Sequence, residues 1–339
     1  MRMRIPRTGL VLLTFALLGD IGAAQRAGDI VDVAIRRWNV GGAVGSMAVA
    51  PDGHIWFSLP TAVSIGRLDP TTGVVRTYPL NGGVPAVLQV GKDGSVWFVS
   101  REAGWIGRLN ERTGKVDRIT IDENATITKL AVAPNGNVWF AGPRLGLLNV
   151  RTLAASYPAD LGQSVLDIAA TPQGSVFFIE ADSHSITEID QRLLQVASNA
   201  LPAPMRLDTI GSSSDGAALI TDSQRGYVGV RDHGKCFEEL LVAPPGTGEG
   251  VFGISAGRDG YLWVGVTTAE GLAVSRSKSH CLTSSPDDHE PIRKQRFMIK
   301  QGPVSQAAMI AGNGGDLWFI SQGSSILTRV IGIAASERR

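Results

Sequence analysis

Four charged residues stand where a site could be built. Glu180 and Asp222 each follow by three residues the large apolar side chain (Phe177, Leu219) that closes a Gly-x-x-apolar tetrad, and Arg206 and Asp208 precede the second of these tetrads. Carboxylates so placed could orient a polar ligand or move a proton, and an arginine beside them could hold an anionic group. We expect Glu180, Arg206, Asp208 and Asp222 to converge in a polar ligand-facing pocket. The competing expectation is a solvated rim with a structural salt bridge. A second cluster, Asp287, Asp288, His289 and Glu290, invites a metal, but it lies in the polar stretch Ser277 to Lys294 without a rigid support. A solvated loop is the better expectation there. No Gly-x-Ser-x-Gly elbow, His-Glu-x-x-His, phosphate loop or Cys-x-x-Cys pair is present. The two cysteines, Cys236 and Cys281, could pair or stay as thiols, because sequence does not supply the Cα separation that decides.

The elements that must position these residues come from a repeat. The tetrad recurs at Gly53–Trp56, Gly94–Trp97, Gly136–Trp139, Gly174–Phe177, Gly216–Leu219, Gly260–Trp263 and Gly315–Trp318. The Gly-to-Gly spacings are 41, 42, 38, 42, 44 and 55, close to the roughly 40–45 residues of a propeller blade, with one insertion in the last interval. Each copy reads as four strands. An apolar run such as Met47-Ala-Val-Ala leads to an Asp-Gly or Asn-Gly hairpin signal, then to an aromatic strand such as His54-Ile-Trp-Phe-Ser. Ile65-Gly-Arg-Leu-Asp makes a third strand, and Thr72-Gly73 turns the chain into a fourth. The Trp residues are expected to pack blade on blade rather than to stack on a ligand.

Seven such units predict an all-β, seven-bladed propeller of four-stranded antiparallel blades. The last copy runs out at its third strand, Ile326 to Ile331, while Ile30 to Val40 alternates as a strand without a blade. Residues 31–39 are therefore expected to complete blade seven and remove its open edge. The expected organisation is a signal peptide over 1–24, the propeller over 25–331 and a tail over 332–339.

The signal peptide follows from Arg2, Arg4 and Arg7, the apolar run Leu10 to Leu18, and the small residues Gly22, Ala23 and Ala24. The apolar run is too short to span a bilayer as a helix. Removing three Arg and one Asp from 32 basic and 31 acidic residues leaves 29 against 30. That balance lacks the basic stripe nucleic acid needs and the polybasic segment of a peripheral membrane protein. A secreted or periplasmic monomer is expected, with an unidentified small molecule or exported protein as partner.

The phrase Asp52-Gly-x-x-Trp-Phe, followed by Ile65-Gly-Arg-Leu-Asp and Thr72-Gly73, resembles the virginiamycin B lyase family, also called streptogramin lyases. The resemblance spans residues 30–331 and is fullest in blades one to three. It implies a seven-bladed propeller and an enzyme that opens the lactone of a cyclic depsipeptide by elimination, with a His base and Mg²⁺ near Glu residues. In the family the base stands eleven residues before the blade Trp, which in the last blade falls on Ala307. The family's Glu positions fall on Ser305 and Ser321, and its second His on Phe252. The equivalents in the other blades are Gly45, Ala86, Thr128, Leu166 and Asp208, and the five His residues lie elsewhere, at 54, 184, 233, 280 and 289. Ala and Phe do not titrate, and Ser is a poor Mg²⁺ ligand beside a carboxylate. The expected protein is thus a non-catalytic binding propeller with no cofactor. The alternative is a divergent C–O lyase acting on a cyclic ester, the one reading that requires Mg²⁺. A calcium-dependent sugar-lactone hydrolase would have six blades, against seven counted here.

Overall fold

In the computed structural model, the described residues are 30–100, 104–121, 126–158, 164–181, 185–190, 196–201, 205–232, 236–256, 261–279, 281–282, 295–301, 307–321 and 323–334. They form seven four-stranded antiparallel sheets, with strands numbered in chain order from β1 (Ile30–Asn39) to β28 (Ile326–Ala334). Within each of the first six blades, sequence order is spatial order. The seventh sheet runs β26 (Ala307–Ala311), β27 (Leu317–Ser321), β28 and then β1, so the amino-terminal strand is its outer strand. Trp38 lies opposite Leu327 in that pairing, and its ring stacks on Trp318 at 5.2 Å. Strand β28 continues to Ala334, so the expected tail begins in strand. The signal segment 1–24, the turn glycine Gly260 and most of the blade-six insertion lie outside the described residues.

The recurring Trp-Phe pair explains how the blades join. Successive residues of a strand point to opposite faces, and the second strand of a blade has a neighbour on each side. Trp56 packs in the apolar cluster shared with blade two, while Phe57 packs in the cluster shared with blade seven. The same division places Trp97 and Phe98, Trp139 and Phe140, and Phe177 and Phe178 in successive clusters. Seven apolar clusters thus fill the seven seams, and every residue of β3 (Ile55–Leu59) is buried.

The third-strand glycines answer to the same packing. The ring of Phe57 lies directly over Gly66, as Phe98 lies over Gly107 and Phe140 over Gly146, leaving no room for a Cβ. In four blades a third-strand arginine, which follows the glycine in blades one and two, is paired across to the Trp of its blade. Arg67, Arg108, Arg276 and Arg329 lie 6.0, 5.3, 5.7 and 5.7 Å from the rings of Trp56, Trp97, Trp263 and Trp318, within cation–π range.

Candidate functional site

The seven innermost strands neighbour one another around the axis. They are β2 (Met47–Val49), β6 (Pro85–Val90), β10 (Lys129–Val132), β14 (Val165–Ala170), β18 (Thr209–Ser212), β22 (Gly250–Ala256) and β26. Contacts between adjacent inner strands join equivalent heights: Leu88 N donates to Ser46 Oγ at 3.3 Å, and Ser212 Oγ donates to the Ala170 carbonyl at 2.8 Å. One axial mouth is therefore ringed by the starts of these strands, at or next to the positions where the sequence placed the family's base. The other is ringed by the first hairpin turns. There Asn313 Nδ2 donates to the Pro51 carbonyl at 3.1 Å, and Lys92 Nζ reaches past blade three to the Pro172 carbonyl at 3.5 Å.

On the first mouth, three of the four candidate pocket residues come together around one turn of blade five. Asp222 ends β19 (Ala218–Asp222) and is fully buried. Its Oδ2 accepts the Arg206 N–H at 2.8 Å and its Oδ1 accepts the Arg225 N–H at 3.1 Å. Asp208 accepts the Ser223 N–H, and its own N–H donates to the Thr221 carbonyl at 3.0 Å. Both carboxylates thus serve part-buried backbone N–H groups of the turn. Arg225 stacks on Tyr227 at 4.5 Å and reaches Glu239 at 3.2 Å and Asp222 at 3.5 Å. The side chain left facing solvent is Arg206, whose Nη1 donates to Gln224 Oε1 at 3.4 Å. Glu180 ends β15 (Ser175–Glu180) on the neighbouring blade, half-buried and opposite Val165.

At the lyase-equivalent positions, Phe252 meets Phe319 edge-on at 6.1 Å and joins the apolar cluster of blades six and seven. Ala307 opens β26 directly opposite Ser321, which closes β27. Ser305 lies outside the described residues, as do His184, His233, His280 and His289.

One residue near this mouth was not singled out from the sequence. Asp167 on β14 is buried and binds three blades together: Oδ1 meets Lys129 Nζ of blade three at 3.1 Å, and Oδ2 accepts the Ile210 N–H of blade five at 3.1 Å. Burial pushes its carboxyl above the ordinary value, although Lys129 and the N–H groups of Ile210 and Ile168 act in the opposite sense. An acidic residue inside the apolar run of an inner strand was the available signal.

On the turn side, a groove of about 700 Å³ follows the seam of blades one and two, lined by Asp52, Trp56, Lys92, Asp93, Arg108 and Glu111 among others. His54 Nδ1 stands 2.8 Å from Asp52 Oδ2, and Arg67 Nε stands 3.2 Å from Glu111. Burial works to raise Asp52, but hydrogen bonds from His54 and the nearby Arg67 charge outweigh it and hold the carboxyl below its ordinary value. Among the described residues, no three His, Cys, Asp or Glu side chains are grouped to hold a metal ion.

Seven blades, a strand borrowed for closure and an axial mouth ringed by inner-strand residues define the class of protein. Residues 8–160 match the model of the virginiamycin B lyase family. Virginiamycin B lyase from Staphylococcus aureus superposes with a TM-score of 0.72 over 89% of this chain and 100% of its own, at 18% identity. A streptogramin B lyase gives 0.71 over 90% and 99%, at 19% identity. YCF48 bound to a D1 peptide gives 0.65 over 89% and 96%, at 12% identity. No curated protein matches the chain. The chain is a seven-bladed propeller similar in fold to virginiamycin B lyase, with the family's sequence model matched over residues 8–160.

Proposed function

We propose that this chain is an exported propeller that binds a small molecule or an exported protein at its axial face and does not perform the lyase reaction. The observation that carries the proposal is the filling of the lyase-equivalent positions. Phe252 is committed to apolar packing and Ala307 faces Ser321, so neither a general base nor a carboxylate for Mg²⁺ stands there. What supports a binding role is the rigid turn of blade five, whose backbone is pinned by Asp208 and Asp222 and which presents Arg206 to solvent. Glu180 on the next blade is the candidate second contact. YCF48, of the same fold, holds a peptide, which favours a peptide-sized ligand here. Export is supported by the basic, apolar and small-residue order of residues 1–24 and by the pairing of Cys236 with Cys281, a bond that persists in oxidising compartments.

The test is direct. The chain from residue 25 onward is incubated with a streptogramin B depsipeptide and millimolar Mg²⁺, and the antibiotic is followed by mass spectrometry. The expected outcome is recovery of intact cyclic antibiotic; a linearised product that depends on the protein would overturn the reading in favour of a divergent lyase.

A further inference from the structure

Wedges around an axis are closest at their inner strands and farthest apart at the rim, so contacts between neighbouring blades thin out toward the outermost strands. At the rim of blades five and six this chain adds a covalent tie. Cys236 is the first residue of β21 (Cys236–Leu241), the outermost strand of blade five. It is bonded to Cys281, three residues beyond β24 (Gly271–Lys278) of blade six, with a Cα separation of 5.5 Å. Other contacts converge on the same spot. Glu238 Oε2 on β21 accepts the Ser279 hydroxyl at 2.7 Å and the Cys281 N–H at 3.5 Å. Cys281 and Leu282 also pack against the apolar cluster of blades five and six that contains Val228, Leu240 and Leu262. Ser279, Cys281 and Leu282 are thereby seated on the neighbouring blade by a covalent bond, a carboxylate and an apolar contact together.

We propose that the Cys236–Cys281 bond is a redox latch: it fixes the rim between blades five and six, and a dithiol releases it without opening the ring. Setting the latch is a thiol–disulfide exchange with an oxidised disulfide donor. The two cysteine thiols give up two protons and two electrons, the donor disulfide is reduced to a dithiol, and one S–S bond forms as another breaks. Release is the reverse reaction, with a dithiol as reductant. Ring closure does not depend on it, because β1 pairs with β28 on blade seven. The tie spans 45 residues of chain, a loop long enough for its closure to restrict the unfolded state substantially. Setting the latch in the cell rests on the export reading above, whereas its mechanical role is a property of the purified protein.

The experiment uses the chain from residue 25 onward, oxidised with glutathione disulfide and then treated with dithiothreitol. Before reduction no free thiol is expected to react with a thiol reagent. On reduction the melting midpoint is expected to fall by about 5 °C. Hydrogen exchange is expected to accelerate in β21 and residues 279–282, while β1, β28 and the inner strands keep their protection. The Cys236→Ser/Cys281→Ser double variant should behave as reduced protein with or without dithiothreitol. Two free thiols after oxidation, unchanged exchange on reduction, or loss of protection around the whole ring would each overturn the latch. Trapping thiols by alkylation in intact cells tests export separately: free cysteines there, in a protein that forms the bond and the latch once purified, would overturn export alone.

Discussion

At the scale of single residues, the informative side chain is Asp167. Its carboxylate links three blades through Lys129 and the Ile210 N–H, and burial raises its pKa. A carboxyl raised on folding favours the protonated folded state. Its contribution is full below the ordinary value, near pH 4, and declines as pH rises through the raised value. Replacing Asp167 with Ala should destabilise the protein by about 2 kcal/mol at neutral pH, less than for a fully buried pair because Lys129 is partly solvated. The penalty should be larger at about pH 4 than at pH 7. Urea unfolding of both proteins at the two pH values measures this, and a penalty that grows with pH would show that the ion pair outweighs burial.

At the scale of elements, the blade is organised by one dipeptide and one glycine. Trp and Phe on opposite faces of the second strand serve both neighbours, and the facing glycine lets the Phe ring lie flat on the third strand. Replacing Gly66 with Ala places a Cβ against the Phe57 ring and must displace that ring from the blade-seven seam. The expected cost is on the order of 2 kcal/mol, seen as a lower melting midpoint, and Gly66→Ala with Phe57→Leu should recover part of it. Blade three shows what happens when the pattern lapses. Leu147 stands opposite Trp139 where blades one, two, six and seven have Arg, Asn137 Oδ1 is turned to the Val150 N–H at 3.3 Å, and the Trp139 indole N–H is buried without a partner. The corresponding indoles of Trp97 and Trp318 donate to Ser95 and Asp316, each at 2.9 Å. The third turn of that blade survives the loss of its glycine as well. Leu153 adopts a φ of 56°, held by Asn149 Oδ1, which accepts the N–H groups of Arg151 and Thr152 as Asp69 accepts those of Thr71 and Thr72.

At the scale of the whole molecule, closure is the vulnerable step, because it joins the two ends of the described chain. Without residues 30–39, β28 becomes an open edge and Trp318 loses the Trp38 ring. Such a chain should melt on the order of 10 °C lower or associate through that edge. Size exclusion and thermal melts report both outcomes, and a synthetic peptide of residues 30–39 should restore the midpoint when added in excess. No rise in midpoint with peptide would mean that closure contributes little beyond the seam clusters.

The blade count, the packing of the Trp residues blade on blade and the borrowed outer strand were legible from the chain alone. Each is a matter of spacing within a repeat, and spacing is preserved however the blades are arranged. The pairing of Cys236 with Cys281, the three-blade tie at Asp167 and the commitment of Asp208 and Asp222 to backbone N–H groups emerged with the tertiary structure. These depend on distances of a few ångströms, several of them between residues some forty positions apart. No periodicity encodes such distances: packing sets them when the ring closes.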